Sequence, residues 1–217
     1  MRQSGSLLVR LNLETRAFHA GAEGYWLDLL TSKRPTRRGY MQCLVRAYGF
    51  DSPLEAALRY TRGFDQLVDI TGRYRSGLIA QDLLQLGLSC SQVASIPQQM
   101  IAPFAHVAEA LGWLYVHQHA TLAHGAVRRE LRRQLPDVDH ATTYLSAYEG
   151  VVGSRFDHLG QQLDRLASAP AVAERVVVAA RDAFRHALWW SHVPSRSPLC
   201  DDAFTPQRQR KYPRAPT

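Results

Sequence analysis

The stretch LNLETRAFHAGAE, residues 11–23, predicts an amphipathic helix that carries a histidine next to an acid. Glu23 lies four residues after His19, so the two side chains share one face of the helix. A carboxylate at that spacing can accept a hydrogen bond from one ring nitrogen, which leaves the other nitrogen to face a metal or a substrate. The same pair can also be structural, so the rest of the chain must distinguish the two interpretations.

The composition of the chain predicts one domain outside the membrane. Its 217 residues are 46% hydrophobic, and no apolar run approaches the roughly 18–20 residues that a membrane helix needs. The first residues lead into an amphipathic helix and not into a signal segment. Cys43, Cys90 and Cys200 have no CxxC spacing, which argues against a disulfide framework and a cysteine zinc site. We therefore expect a cytoplasmic protein.

The net charge of +7 is concentrated at the end of the chain, where four basic residues follow the last acid. The rest of the chain carries only +3, and a modestly basic body does not imply a nucleic acid partner. There is also no zinc-finger spacing and no RNP-like aromatic stretch, so we expect no nucleic acid partner. A second basic cluster is either a solvated helix end or a landing patch for an acidic ligand or protein: Arg128, Arg129, Arg132 and Arg133.

Helical periodicity runs through most of the sequence, and no segment alternates as a strand does. We therefore predict an all-α, single-domain, multi-helical fold of seven or eight helices over residues 1–190. From Ser191 to Thr217 proline, serine and arginine dominate, and this composition predicts a disordered tail.

Glycine and proline predict where individual helices break. The helical stretch over residues 39–58 is expected to break near Gly49 and Pro53. One long helix is expected from Phe104 to about Leu135, where Pro136 ends it.

Several common catalytic motifs are absent from the sequence: GxSxG, the P-loop, GxGxxG, HExxH and the ExxH motif of di-iron bundles. An all-α domain with nine histidines instead suggests a ligand held between helices.

Three separated segments share a further pattern. The first contains Thr15, His19 and Glu23, the second is ALGWLYVHQHATLAH at residues 110–124, and the third covers residues 170–190. Together with residues 40–58, they resemble the heme oxygenase family in order and spacing, especially the bacterial type associated with phytochrome photoreceptors. This resemblance covers most of residues 7–190 and implies the heme oxygenase-like helical fold.

The resemblance implies that b-type heme, with its iron, lies between a proximal and a distal helix. His19 would be the proximal iron ligand and Glu23 would orient it. Arg16, with Arg155 or His158, would meet the heme propionates, and Tyr115 would be either a pocket hydroxyl or a core aromatic. In the family, heme is opened to biliverdin, carbon monoxide and iron. The implied partners are an external electron donor, ferredoxin-like or a reductase, and a phytochrome-type photoreceptor pathway.

The distal segment departs from the family pattern, which is approximately Gly-x-Leu-Tyr-Val-x-Glu-Gly-Ser-Thr-Leu-Gly-Gly. When Thr121 is matched to the family threonine, His119 replaces the first glycine, and Ala123 and His124 replace the final pair. Glycines there let the helix bend and approach the heme face. Gly125 lies one position late and could restore part of that freedom. The catalytic distal residues implied by the resemblance are thus His119, Thr121, Ala123 and Gly125.

The departures leave several alternatives open. His119 can be a distal polar group, or a second axial iron ligand in a non-catalytic heme or tetrapyrrole binder, because two strong axial ligands hinder oxygen binding. Two or three of His117, His119 and His124 could instead hold a non-heme metal. A protein of the same fold that has lost heme and acts on another molecule is the remaining possibility. The sequence therefore suggests a heme oxygenase and leaves its activity open.

Overall fold

The computed structural model describes residues 6–22, 24–32 and 35–193. These residues contain ten α-helices and no strand, which confirms the all-α prediction. The helices are α1 (Leu7–Ala22), α2 (Gly24–Thr31), α3 (Arg37–Tyr60), α4 (Ser76–Gln85), α5 (Cys90–Ala94), α6 (Val107–His119), α7 (Thr121–Gln134), α8 (Thr143–Ser146), α9 (Val152–Leu166) and α10 (Pro170–His192). Short 3-10 turns cover Thr71–Arg73 and Pro136–Ala141.

The helices pack around two adjoining hydrophobic cores. The first core is formed by α1, α6, α9, α10 and the second half of α3. The second core is formed by α2, the first half of α3, α4, α5, α7 and α8. Among its several passages from one core to the other, the chain crosses within α3 and between α6 and α7. Residues near these two crossings therefore lie where the cores meet.

The predicted break near Gly49 and Pro53 is wrong, because α3 continues from Arg37 to Tyr60 with Pro53 inside it. A proline within a helix removes the hydrogen bond to the carbonyl four residues earlier, here that of Gly49. In the fold this carbonyl accepts a hydrogen bond from the backbone N–H of Gln99 at 2.9 Å. The tertiary structure therefore supplies the donor that the proline removes, and the helix persists.

The prediction of one long helix over residues 104–135 is also corrected. The helix starts at Val107, is interrupted at Ala120 and ends at Gln134, just before Pro136. The two halves belong to different cores, α6 to the first and α7 to the second. The interruption thus lies where the chain changes core.

The last helix extends two residues past the predicted start of the tail. α10 reaches His192, and the carbonyl of Val193 accepts a hydrogen bond from Arg46 Nη2 at 3.1 Å. The remainder of the predicted tail, from residue 194 onward, lies outside the described residues. Within the described ranges, no helix has the length and apolar character to cross a membrane.

Gly112 allows α6 and α10 to lie in direct backbone contact, and we expect Gly112→Ala to destabilise the protein. A Cβ atom at this position would lie 2.5 Å from the carbonyl oxygen of Val176 and 2.7 Å from the backbone nitrogen of Ala180. The two helices would have to separate, which costs about 1–3 kcal/mol of unfolding free energy. Urea unfolding measures the change.

Gly153→Ala is the matched control, since Gly153 also lies in a helix but nothing is within 4 Å of its added Cβ. This substitution should leave stability unchanged or raise it slightly, because alanine favours the helix. Equal effects of the two substitutions would contradict the assignment of close packing to Gly112.

Candidate functional site

His19 lies in the last turn of α1 and is held there by a hydroxyl group of the same helix. The hydroxyl of Thr15 donates its only proton to the carbonyl of Leu11 at 2.7 Å. It must therefore accept the hydrogen bond from His19 Nε2 at 2.9 Å. The ring thus carries its proton on Nε2 and keeps a lone pair on Nδ1. Glu23, the predicted orienting acid, lies outside the described residues.

The surroundings of His19 are aromatic. The ring of His119, at the end of α6, lies with its centroid 4.0 Å from that of His19, and the ring of Phe184 lies 5.1 Å away. The ring centroids of Tyr115 and Phe156 lie 5.9 and 6.4 Å from that of His119. The fold therefore brings His19 on α1, His119 on α6 and Phe184 on α10 into one cluster in the first core.

The pKa of His19 is lowered to about 4, mainly by burial and also by the neighbouring His119 and Arg16. The imidazole is therefore neutral at neutral pH. A neutral imidazole is the form that can bind iron.

This pKa predicts a loss of stability in acid. Between about pH 6.5 and pH 4 the unfolded chain binds a proton at His19 and the folded protein does not, so acidification favours unfolding. We expect the unfolding free energy of the wild type to fall more steeply over this range than that of a His19→Phe variant. Urea unfolding at pH 4.5, 5.5, 6.5 and 7.5 measures both slopes, and parallel curves would contradict the prediction.

The space between α1 and α6 is closed in this structure. A flat molecule between two rings needs about 3.5 Å on each side, more than the 4.0 Å between the centroids of His19 and His119 allows. A cavity of about 50 Å³ lies nearby, lined in part by Ala22, Ala120 and Phe184, whereas small-molecule sites enclose about 300–1,000 Å³. The neutral imidazole and apolar walls fit heme chemically, and heme entry requires α1 and α6 to separate.

The other residues predicted for heme contact lie in different settings. Tyr115 is fully buried beside His119, whereas Arg16 and His158 are exposed. Arg155 donates a hydrogen bond to the carbonyl of Gly72 at 2.6 Å, and its guanidinium lies 4.0 Å above the ring of Tyr148. Arg155 is therefore already engaged away from His19.

The predicted distal residues divide between the end of α6 and the start of α7. Thr121 is buried and its hydroxyl donates to the carbonyl of Gln118 at 2.7 Å. Ala123 packs against the second core. Gly125 lies on the exposed face of α7, five residues beyond the interruption, where an added Cβ would meet only the end of Arg129 at 3.7 Å. The interruption at Ala120 therefore does not depend on Gly125.

The three distal histidines are dispersed. His119 faces His19, and His124 packs 4.5 Å from the ring of Tyr144, where burial holds its pKa well below the usual value. His117 points to Asp51 and Glu55 on α3. Within the described ranges, the cluster that could supply three metal ligands is Asp51, Glu55 and His117. This cluster contains one of the three histidines, so within the described residues no group of three ligands contains two or three of them.

The cluster of Asp51 and Glu55 is an ion-pair network that sequence reasoning missed. The fully buried Arg75 lies 3.2 Å from Asp51 Oδ2 through Nη2, and Glu55 Oε1 accepts hydrogen bonds from the backbone N–H groups of Arg75 and Ser76. Although burial opposes the charge of Arg75, Asp51 raises its pKa. These bonds occupy the carboxylates that a metal would need. One feature of the sequence could have indicated this network: Asp51 and Glu55 lie one turn apart among the apolar residues of α3.

The basic cluster on α7 is largely paired with acids of the same chain. Arg128 pairs with Glu149, Arg132 with Asp139 and Arg133 with Glu130. This pairing favours the interpretation as a solvated helix end over that of a landing patch.

Comparison with known proteins places this arrangement in a family. The fold is similar to a crystal structure of the NO- and CO-bound heme oxygenase from Neisseria meningitidis, with a TM-score of 0.67 and 16% identity over 87% of this chain and 91% of that chain. At that identity the similarity establishes the fold alone. No curated protein matches the chain in sequence. The family model for heme oxygenase matches residues 5–191. With nearly all of its described helices inside that match, the chain belongs to the heme oxygenase family.

Proposed function

We propose that this protein binds heme through His19, between α1 and α6, and opens it to biliverdin, carbon monoxide and iron. The observation that carries the proposal is the neutral, half-buried His19 facing the end of α6 in an aromatic cluster. Heme would supply the iron that binds oxygen and accepts electrons. Heme is therefore both the ligand and the substrate.

The residues of this chain would perform three tasks. His19 would hold the iron, and Thr15 would release Nε2 if that nitrogen is the ligand, because it now accepts the Nε2 proton. Tyr115, Phe156 and Phe184 would exclude water and confine the ligand. These three aromatic side chains would form the apolar walls of the heme site.

The distal helix would supply the face opposite His19. His119, Thr121, Ala123 and Gly125 remain the proposed distal residues, and Glu23, Arg16 and Arg155 remain proposed heme contacts. For Arg155 this role requires that it leave the carbonyl of Gly72.

Four finer proposals concern the heme, the electron donor, the location of the protein and the destination of the product. The heme is b-type, because no Cys-x-x-Cys-His motif is present to attach it covalently. The electrons come from an external ferredoxin-like donor or a reductase, because three scattered cysteines do not provide the four thiolates of an iron–sulfur cluster. The free thiols of Cys43 and Cys90 fit a reducing cytoplasm, where we propose that the protein acts. We also propose that the product enters a phytochrome-type photoreceptor pathway.

Hemin titration followed by reduction in air tests the proposal. We expect a stoichiometric heme spectrum that is replaced by a biliverdin band when reductant and oxygen are added, with release of carbon monoxide. Omission of oxygen is the control and should preserve the heme spectrum. A bound heme that survives reductant and oxygen would support the bis-histidine binder, and a protein that binds no hemin would refute both.

His119 closes the proposed site, and we expect His119→Gly to open it. The substitution removes the imidazole ring that packs on His19. Heme should then enter without having to displace the ring of residue 119. Hemin binding should tighten by about tenfold, or about 1.4 kcal/mol, and turnover should rise. Stopped-flow hemin binding and the rate of biliverdin formation measure the two effects. His124→Gly is the control for loss of an imidazole, and equal gains in both variants would contradict a specific role of His119.

A further inference from the structure

The interruption between α6 and α7 occurs without the residues that usually cause one. Helices bend sharply at proline, at glycine, or where a side chain enters the backbone hydrogen-bond ladder. Residues 113–124 contain neither proline nor glycine. Ala120 itself keeps helical backbone angles, with φ −53° and ψ −30°. Side chains that bond to the backbone are a further recognised cause of such a break.

Two carbonyl groups next to the interruption accept hydrogen bonds from side chains. Nη2 of Arg75 donates to the carbonyl of His117 at 2.6 Å, and the hydroxyl of Thr121 donates to that of Gln118 at 2.7 Å. Carbonyl groups in the last turn of a helix lack donors within the helix. Arg75 reaches this carbonyl from outside α6 and α7.

Arg75 is fixed in place by α3. Its Nη2 lies 3.2 Å from Asp51 Oδ2, and its backbone N–H donates to Glu55 Oε1. Its side chain has no exposed surface. The position of the guanidinium is therefore set by two acids that lie one turn apart on α3.

His117 and Gln118, in the last turn of α6, are bound to the same region. The side-chain amide of Gln118 donates to His117 Nδ1 at 3.0 Å, so Nε2 of His117 carries the proton and faces Glu55 Oε1 at 3.3 Å. The amide oxygen of Gln118 accepts from Arg73 Nη1 at 3.2 Å. The end of α6 is thus bound to α3 and to residues 73–75 through buried polar side chains.

We propose that Arg75 is a positioning residue that sets the interruption between α6 and α7. The guanidinium of Arg75 caps the carbonyl of His117, which leaves this carbonyl unavailable to the helix. In the family's distal helix, glycines allow the bend that this side chain would cause here. By fixing where α6 ends, Arg75 also fixes where His119 and Ala120 meet the ligand, and this last part rests on the proposed heme function.

Hydrogen exchange of the ligand-free protein tests the interruption itself. The double variant Asp51→Asn/Arg75→Met removes the cap together with the charge of Asp51, while Glu55 keeps its hydrogen bonds from the backbone N–H groups of residues 75 and 76. The carbonyl of His117 then needs another donor, and the N–H of Thr121 lies four residues on, at helical spacing. Exchange of the Thr121 amide should therefore slow by about tenfold, the effect of one added hydrogen bond. Unchanged or faster exchange would overturn the proposal.

Arg37→Met is the matched control, since Arg37 Nη2 donates to a different backbone carbonyl, that of Leu86, at 3.0 Å. It should leave exchange at Thr121 unchanged, and an equal slowing there would overturn a specific role of Arg75.

The ferric spectrum of the hemin complex tests the effect on the ligand. The double variant should shift the balance of high-spin and low-spin forms, and Arg37→Met should not. If hemin binds but both variants keep the wild-type spectrum, the proposed effect of Arg75 on the ligand face is overturned. If the wild type does not bind hemin, the proposed function fails, and the exchange measurement still decides the role of Arg75.

Discussion

A His19→Ala variant is expected to bind hemin about 100-fold more weakly than the wild type, a loss of about 2.7 kcal/mol. His19 supplies the neutral imidazole in the cluster between α1 and α6, and burial keeps it neutral by lowering its pKa to about 4. His119 would remain after the substitution, but it lies on the opposite helix. Titration of the heme absorbance measures the affinity, and the same titration after reduction in air measures the loss of biliverdin formation.

His140→Ala is the matched control, because His140 is an exposed histidine in the turn before α8. It should keep the wild-type affinity and spectrum. If His19→Ala also kept both, His19 would not be the iron ligand. If His119→Ala lost hemin binding and His19→Ala did not, the iron ligand would be assigned to His119 on α6.

An Arg75→Met variant is expected to lose about 3–5 kcal/mol of unfolding free energy. The guanidinium is fully buried and faces Asp51 at 3.2 Å, so its removal leaves a buried carboxylate without its cation. The carbonyl of His117 also loses its donor. Urea unfolding measures the change, with Arg37→Met as the control, which should cost less than about 1.5 kcal/mol as the loss of one partly buried hydrogen bond.

The double variant Asp51→Asn/Arg75→Met separates the charge effect from the loss of contacts. Since it removes both charges, it should recover most of the stability lost in Arg75→Met. A double variant as unstable as the single one would show that the unpaired charge at Asp51 is not the cause. When the single variant Asp51→Asn is measured as well, the coupling energy between the two substitutions gives the contribution of the pair.

Part of the candidate site could be predicted from sequence because it depends on local spacing. Helical periodicity predicts that His19 lies on the first helix. The resemblance of residues 110–124 to a distal helix then suggests that His19 is the proximal ligand. The structure adds a polar neighbour that the sequence analysis did not consider for the ring, Thr15, whose hydroxyl accepts a hydrogen bond from the ring of His19. Thr15 lies four residues before His19, and spacing alone does not say which polar neighbours a ring contacts.

The buried network around Arg75 could not be predicted in the same way. Asp51 and Glu55 are separated from Arg75 by at least 20 residues and from His117 by more than 60, and only the packing of α3 against α6 brings them together. The predicted break near Pro53 was wrong for a related reason, because Gln99 supplies the bond that the proline removes. Both features depend on partners that are distant in the chain.

The sequence by itself determined the all-α fold, the family, the position of His19 on the first helix and the end of α7 before Pro136. These properties depend on helical periodicity, on a proline stop and on a motif, all of which are local. Only the tertiary structure decided that α3 continues through Pro53, that the distal helix is interrupted at Ala120, and that His19 and His119 lie in contact. The physical reason is that buried polar groups need partners, and in this fold those partners come from helices far apart in the sequence.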